Sequence, residues 1–246
     1  MILPFSKNKL YFKPGIFLTL IFVSMIALFF ALGVWQLDRA EEKKVLAKQI
    51  EQRLQQPVLT IDNADLEQLK RTDLAHRTIQ LKGKFDTREQ FFVDNKKYNG
   101  RAGYHVITPF EIENTRQRIL VNRGWVSSGN SREILPEVKT PAEIITVNGR
   151  LSQPVMAKFR PGISQPADAL GGVWLYIDIN FFNSLSGVPL VPYVLLLNQE
   201  TPYGYVREWP EFKANTEMHF GYALQWFAFS FFSLLAYLAI GIKKYE

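Results

Sequence analysis

A chain of 246 residues with 47% hydrophobic and 21% charged residues has the make-up of an ordinary folded protein with one or two domains, which excludes a disordered or low-complexity chain. Its net charge of +6 invites a nucleic-acid reading. However, Lys7, Lys9, Lys13, Lys243 and Lys244 flank two apolar segments, where lipid headgroups are the natural partner and nucleic acid is not. There is no cysteine, so disulfides, thiolate metal ligands and cysteine nucleophiles are excluded.

After an N-terminal stretch, residues 1–15, Ile16 to Trp35 runs for twenty residues without a charge. About twenty residues at ~1.5 Å rise cross the ~30 Å hydrocarbon core. The run is longer than a signal-peptide core, and Gln36-Leu37-Asp38-Arg39 offers no small-x-small cleavage site, so it reads as an uncleaved transmembrane helix over 16–36. Residues 37–56 are rich in strong helix formers and free of Gly and Pro, which predicts a helical extension ended by Pro57. A short helix is expected at Ala64–Leu69, capped by Asp62 or Asn63.

From there the texture is β. His76–Phe85, Glu89–Asp94, Tyr104–Ile112, Gln117–Val126, Ile144–Leu151, Val173–Ile179 and Tyr193–Asn198 are short runs rich in β-branched and aromatic residues, separated by turn signals such as Asn99-Gly100 and Asn148-Gly149. Gln153–Gly172, with three prolines, reads as a long surface loop, and Phe181–Leu185 as one or two helical turns. Phe220 to Ile242 is again uncharged over twenty-three residues, predicting a second transmembrane helix over 219–242 and a tail over 243–246. The fold class is therefore membrane α+β: two transmembrane helices flank a mostly β domain, 57–215, built as a small barrel or sandwich. The basic flanks place both termini in the cytoplasm and the β domain outside it, although Arg39, Lys43 and Lys44 pull the other way.

Catalytic sets are missing from the sequence: it has no Gly-x-Ser-x-Gly elbow, His-Glu-x-x-His pair or Gly-rich phosphate loop, so an enzyme is not expected. His76 and His105 fall on expected strands, as surface or packing residues. His219 is different, because an ionisable group at the end of a membrane span is a functional candidate. On a helix it shares a face with Tyr222, Ala223, Trp226, Ser230, Ser233 and Tyr237. That face suits either a haem, with imidazole as iron ligand and aromatic walls, or an interfacial aromatic belt that holds nothing. Trp35, Arg39 and Lys43 share a face of the first helix, where Arg39 or Lys43 would meet a propionate, a partner carboxylate or lipid headgroups.

Four motifs stand in a fixed order: Leu32-Gly33-Val34-Trp35-Gln36-Leu37-Asp38-Arg39, Gly103-Tyr104-His105-Val106-Ile107-Thr108-Pro109, Leu120-Val121-Asn122-Arg123-Gly124-Trp125-Val126, and His219-Phe220-Gly221-Tyr222-Ala223-Leu224-Gln225-Trp226-Phe227. Together they resemble the surfeit locus protein 1 family over essentially the whole chain. Glu217-Met218 stand where family members often carry Asn-Asn before the histidine. The resemblance implies an assembly factor for haem-copper terminal oxidases, chiefly cytochrome c oxidase, that binds haem a and delivers it to the catalytic subunit. The residue this implies as iron ligand is His219, and the two helix faces add Tyr222, Trp226, Trp35 and Arg39 to the candidate cofactor site. The implied partners are the oxidase catalytic subunit, haem a synthase as a further candidate, and membrane lipids. A cofactor-free membrane scaffold for an oxidase intermediate is the alternative. No Arg- and Ser-rich leader precedes Pro14, which points to a bacterial inner membrane. The role of Asn122-Arg123-Gly124-Trp125 stays open apart from a structural default.

Overall fold

The computed structural model describes residues 10–61, 73–129, 132, 134–154, 170–210 and 212–244. The helix expected at Ala64–Leu69 and most of the loop expected at Gln153–Gly172 lie outside these residues. In chain order the elements are β1 (Leu10–Phe12), α1 (Ile16–Gln55), β2 (Leu59–Thr60), β3 (Thr78–Phe85), β4 (Phe91–Tyr98), β5 (Arg101–Ile112), β6 (Arg118–Ser127), β7 (Ile145–Ser152), β8 (Val173–Trp174), α2 (Ile179–Ser186), β9 (Leu190–Leu197), α3 (Thr216–Gly241) and β10 (Ile242–Lys244). They fall into two units, residues 1–50 with 212–246 and residues 51–211.

In the first unit, α1 and α3 are both long and apolar enough to cross a membrane. Their outward side chains, among them Phe17, Leu20, Leu224 and Phe232, are exposed to an extent that only a lipid solvent makes favourable. The two helices run antiparallel. Thr19 meets Tyr237, the Ile26 carbonyl accepts from Ser230, and Phe29 stacks on Trp226, so α3 numbers fall as α1 numbers rise. β1 pairs antiparallel with β10, Tyr11 opposite Lys243, just beyond the helix ends.

The second unit is a barrel. β3 pairs with β7, β7 with β9, β9 with β6, β6 with β5, and β5 returns to β3 through Phe110 opposite Phe85, closing a ring of five strands. Closure removes the exposed edges that a sheet of this size would otherwise present. β4 and β8 continue the sheet outward from β5. Inside the ring lie Ile79, Leu81, Phe110, Ile119, Val121, Val147, Leu151 and Leu195. A second core of Phe91, Leu120, Trp174, Phe182 and Val194 sits beside α2. β6 is covered on both faces, which is why Arg118 to Trp125 are all buried.

Three expected elements shift. Val173–Ile179 keeps only two residues of strand, because the Asp178 carboxylate accepts the Phe181 amide and starts α2 instead. His76 lies ahead of β3 at φ +68°, its amide given to the Leu151 carbonyl. β9 begins at Leu190, with Pro192 inside it.

Candidate functional site

His219 lies in the first turn of α3, half-buried, with its Nδ1 2.8 Å from Gln36 Oε1 on α1. An amide oxygen only accepts, so Nδ1 carries the proton and donates it, and in the neutral ring the lone pair is then on Nε2. This is the arrangement of a metal-binding imidazole, in which a carbonyl on the far nitrogen fixes the tautomer and the ring plane.

The face expected from helical spacing is the one α3 turns to α1. Ala223, Ser230 and Ser233 on it are buried. Ser230 Oγ donates to the Ile26 carbonyl and Ser233 Oγ to the Phe229 carbonyl. Trp226 stacks on Phe29 with centroids 5.8 Å apart. At Gly33 the Phe227 ring lies against the α1 backbone, where an added Cβ would be 2.5 Å from it. Tyr222 is 48% exposed, beside this packed seam and not within it. On α1 the Arg39 guanidinium sits over the Trp35 ring and pairs at 2.6 Å with Glu42 one turn on, so the two residues form a local unit on an exposed face. Of the five proposed site residues, then, His219 and Trp226 face α1, Trp35 and Arg39 touch each other, and Tyr222 stands apart.

Gln36 is the site residue that sequence reasoning passed over. Its signal was a polar side chain at the end of an apolar run, at the depth where an antiparallel partner presents His219.

In the barrel, Arg123 gives meaning to the third motif. Its side chain is fully buried, and all five N–H donors are used: Nε and Nη2 on the Tyr203 carbonyl, Nη2 also on the Lys139 carbonyl, and Nη1 on Gln90 Oε1 and Thr140 Oγ1. The guanidinium is sandwiched by Phe85 and Tyr205 rings at 4.9 and 5.2 Å. Asn122 Oδ1 accepts the Gly124 amide, and Gly124 at φ +112° approaches the Val206 carbonyl too closely for a Cβ. Trp125 Nε1 donates to the Lys96 carbonyl. The motif ties β6 to the 203–206 segment, with Trp125 and Val206 exchanging backbone bonds.

A family model described as the SURF1 family matches residues 23–231, a span that contains all four motifs. The chain belongs to the SURF1 family. It is 32% identical over 122 residues to the cytochrome oxidase assembly protein SHY1 of Saccharomyces cerevisiae, covering 50% of this chain and 31% of that one. A SURF1-like protein of Rickettsia bellii is 27% identical over 169 residues, 67% of this chain and 64% of its own. Another from Rickettsia conorii is 25% identical over 234 residues and covers 92% and 91% of the two chains. The chain therefore spans less than two thirds of the length of the yeast and R. bellii proteins, and nearly all of the R. conorii SURF1-like protein.

Proposed function

We propose that this SURF1-family protein is an assembly factor for cytochrome c oxidase that holds haem a at His219 and hands it to the oxidase catalytic subunit, in a bacterial inner membrane with both termini cytoplasmic and the barrel outside. The observation that supports a ligand role is the Gln36–His219 bond, which leaves Nε2 free to donate. A haem bound there would be held by His219 and would supply the iron centre for delivery. The chain's own residues do the rest. Gln36 orients the imidazole, and the Phe29–Trp226 stack keeps water from the neighbouring helix seam. Arg39 would exchange its Glu42 contact for a propionate, and Tyr222 is exposed enough to lie against a flat ligand. His219 as a single protein ligand would suit a site that has to give its haem up. The oxidase catalytic subunit and haem a synthase are the partners this reading assigns.

A second reading, a cofactor-free scaffold for an oxidase intermediate, draws on the close fit of Gly33 against Phe227, which makes the helix pair a packed unit without any ligand. Deleting the gene and complementing with the native chain or with His219→Ala separates the two. In the haem reading the deletion lowers the haem a signal in reduced-minus-oxidised membrane spectra and cytochrome c oxidation together, and His219→Ala fails to restore either. Full rescue by His219→Ala would leave the scaffold reading standing. Unchanged spectra and activity on deletion would defeat both.

A further inference from the structure

His105, at the middle of β5, is flanked by a one-residue bulge on each neighbouring strand. On β4 the pairing steps from Val93 opposite His105 to Lys96 opposite Gly103, with Asn95 at φ +59° absorbing the extra residue. On β6 it steps from Trp125 opposite His105 to Asn122 opposite Ile107, with Gly124 at φ +112°. Bulges re-aim side chains and concentrate beside functional sites. Here they surround a cavity of about 220 Å³ lined by Val93, Lys96, His105, Ile107, Asn122 and Tyr176.

Hydrogen bonding decides what the imidazole can do. The Gly124 amide donates to Asn122 Oδ1, so the other end of that amide, Nδ2, is the donor 3.1 Å from His105 Nδ1. Nδ1 therefore accepts, and the ring proton is on Nε2. Burial and then the neighbouring Lys96 ammonium push the imidazole down to about 4, consistent with a neutral ring at physiological pH. A protonated Nε2 and an occupied Nδ1 make His105 a hydrogen-bond donor and not a metal ligand. It is the reverse of His219. The pocket is thus lined by a neutral imidazole whose N–H is on Nε2 and by Lys96, with apolar walls from Val93 and Ile107. Its volume is below the roughly 300 Å³ at which drug-sized ligand sites begin, and several times the ~30 Å³ of a water. A whole cofactor does not fit, whereas one carboxylate on a short apolar stem does.

We propose that the bulge-lined pocket at His105 is a carboxylate-binding site, in which Lys96 neutralises the anion and His105 Nε2–H fixes its orientation. This site belongs to the barrel and does not depend on haem binding at His219.

The test uses the full chain in detergent micelles with ring-13C-labelled histidine. The chain has three histidines, so each signal is assigned by a His→Gln variant. Sodium propionate is titrated against sodium chloride at matched ionic strength and pH 7. The expected result is a saturable shift of the His105 signal in the millimolar range, with His76 and His219 signals unmoved. Lys96→Gln weakens that response about tenfold by removing the neighbouring charge, while the exposed Lys97→Gln leaves it intact. A linear response, an equal response to chloride, or an unaltered response in Lys96→Gln overturns the proposal. So does a saturable response to zinc chloride in place of propionate. Because the His76 and His219 signals report folding in the same spectrum, a lost response in Lys96→Gln is not confused with unfolding.

Discussion

Gln36 Oε1 accepts the Nδ1 proton of His219 across the two membrane helices, at 2.8 Å. The bond joins the first and last of the four motifs and sets the tautomer of the one histidine placed at a membrane span. Outer partners of this kind are worth about 10–100-fold in metal affinity. Purified chain titrated with haem and followed by its Soret band should therefore show binding weakened by about that factor in Gln36→Leu, and abolished in His219→Ala. Gln36→Glu keeps an acceptor oxygen and should remain near the native affinity. Equal affinity of Gln36→Leu and the native chain would sever the link between this bond and a ligand role.

Gly33 faces the Phe227 ring so closely that any side chain must displace it. Gly33→Leu forces that displacement in a seam already filled by Phe29 and Trp226, and overpacking of this sort costs about 1–3 kcal/mol. The absence of native cysteine gives a clean readout. The Ile26→Cys/Ser230→Cys pair, placed where Ser230 Oγ reaches the Ile26 carbonyl, should oxidise to an intramolecular crosslink in the native background and much more slowly with Gly33→Leu added. Equal crosslinking rates would mean that the helices do not meet at Gly33.

Arg123 spends every donor inside the barrel, and its hydrogen-bond partners among the described residues are carbonyls and neutral side chains. Burial accordingly pushes its guanidinium down from the ordinary arginine range. Arg123→Met strands those acceptors at about 1–3 kcal/mol each where they stay dry, so a loss of about 3 kcal/mol or more is expected. Lysine supplies three donors where the guanidinium supplies five, and it cannot fork between the Lys139 and Tyr203 carbonyls. Both variants should lower the melting temperature of the detergent-solubilised chain, by roughly 6–12 °C if the loss is about 3 kcal/mol. A Lys variant melting with the native chain would show that the charge matters and the fork does not.

The motif around Arg123 also shows where sequence reading stops. Hydrophobic alternation located the barrel strands because it records which side chains are inside, as Ile79, Leu81 and Phe85 are on β3. The apolar runs located the spans for a different reason, since there the apolar side chains face outward to an apolar solvent. What joins these pieces was not legible. Arg123 binds backbone carbonyls at Lys139 and Tyr203, and a carbonyl has no letter in the sequence. The placement of β9 between β6 and β7 depends on a non-local closure that no local pattern encodes. Val173–Ile179 read as one strand because Asp178 looks like any turn residue until its carboxylate is seen on the Phe181 amide. His219 was visible as an ionisable group at the end of a span, but Gln36 acquires its role only once the antiparallel register is known.

Asp86 supplies the pH dependence of the barrel. Its buried carboxylate accepts the Arg88 amide at 3.1 Å and the Arg88 side chain at 2.9 and 2.8 Å, and Arg118 Nη1 lies 3.6 Å away. The hydrogen bonds from the Arg88 side chain, reinforced by its backbone amide and by the charges of Arg88 and Arg118, hold the carboxyl below the usual aspartate range against the opposing effect of burial. A folded-state value lower than the unfolded one means stabilisation that is fully present above the unfolded value, near 3.9, and lost as pH falls through the lower folded value. Asp86→Asn keeps one acceptor oxygen but no charge, so at pH 7 it should be less stable by about 1–3 kcal/mol. As pH drops below about 4 the unfolded-state carboxylate protonates first and the native one only at its lower value, so the gap between the two proteins should narrow. Melting curves of both chains from pH 7 to pH 3 measure this directly. Asp73, also held low by its bond from Arg53, titrates in both chains and cancels in the difference. A gap that stays constant down to pH 3 would assign the acid sensitivity to other carboxylates and leave Asp86 as a neutral cap on the 87–89 turn.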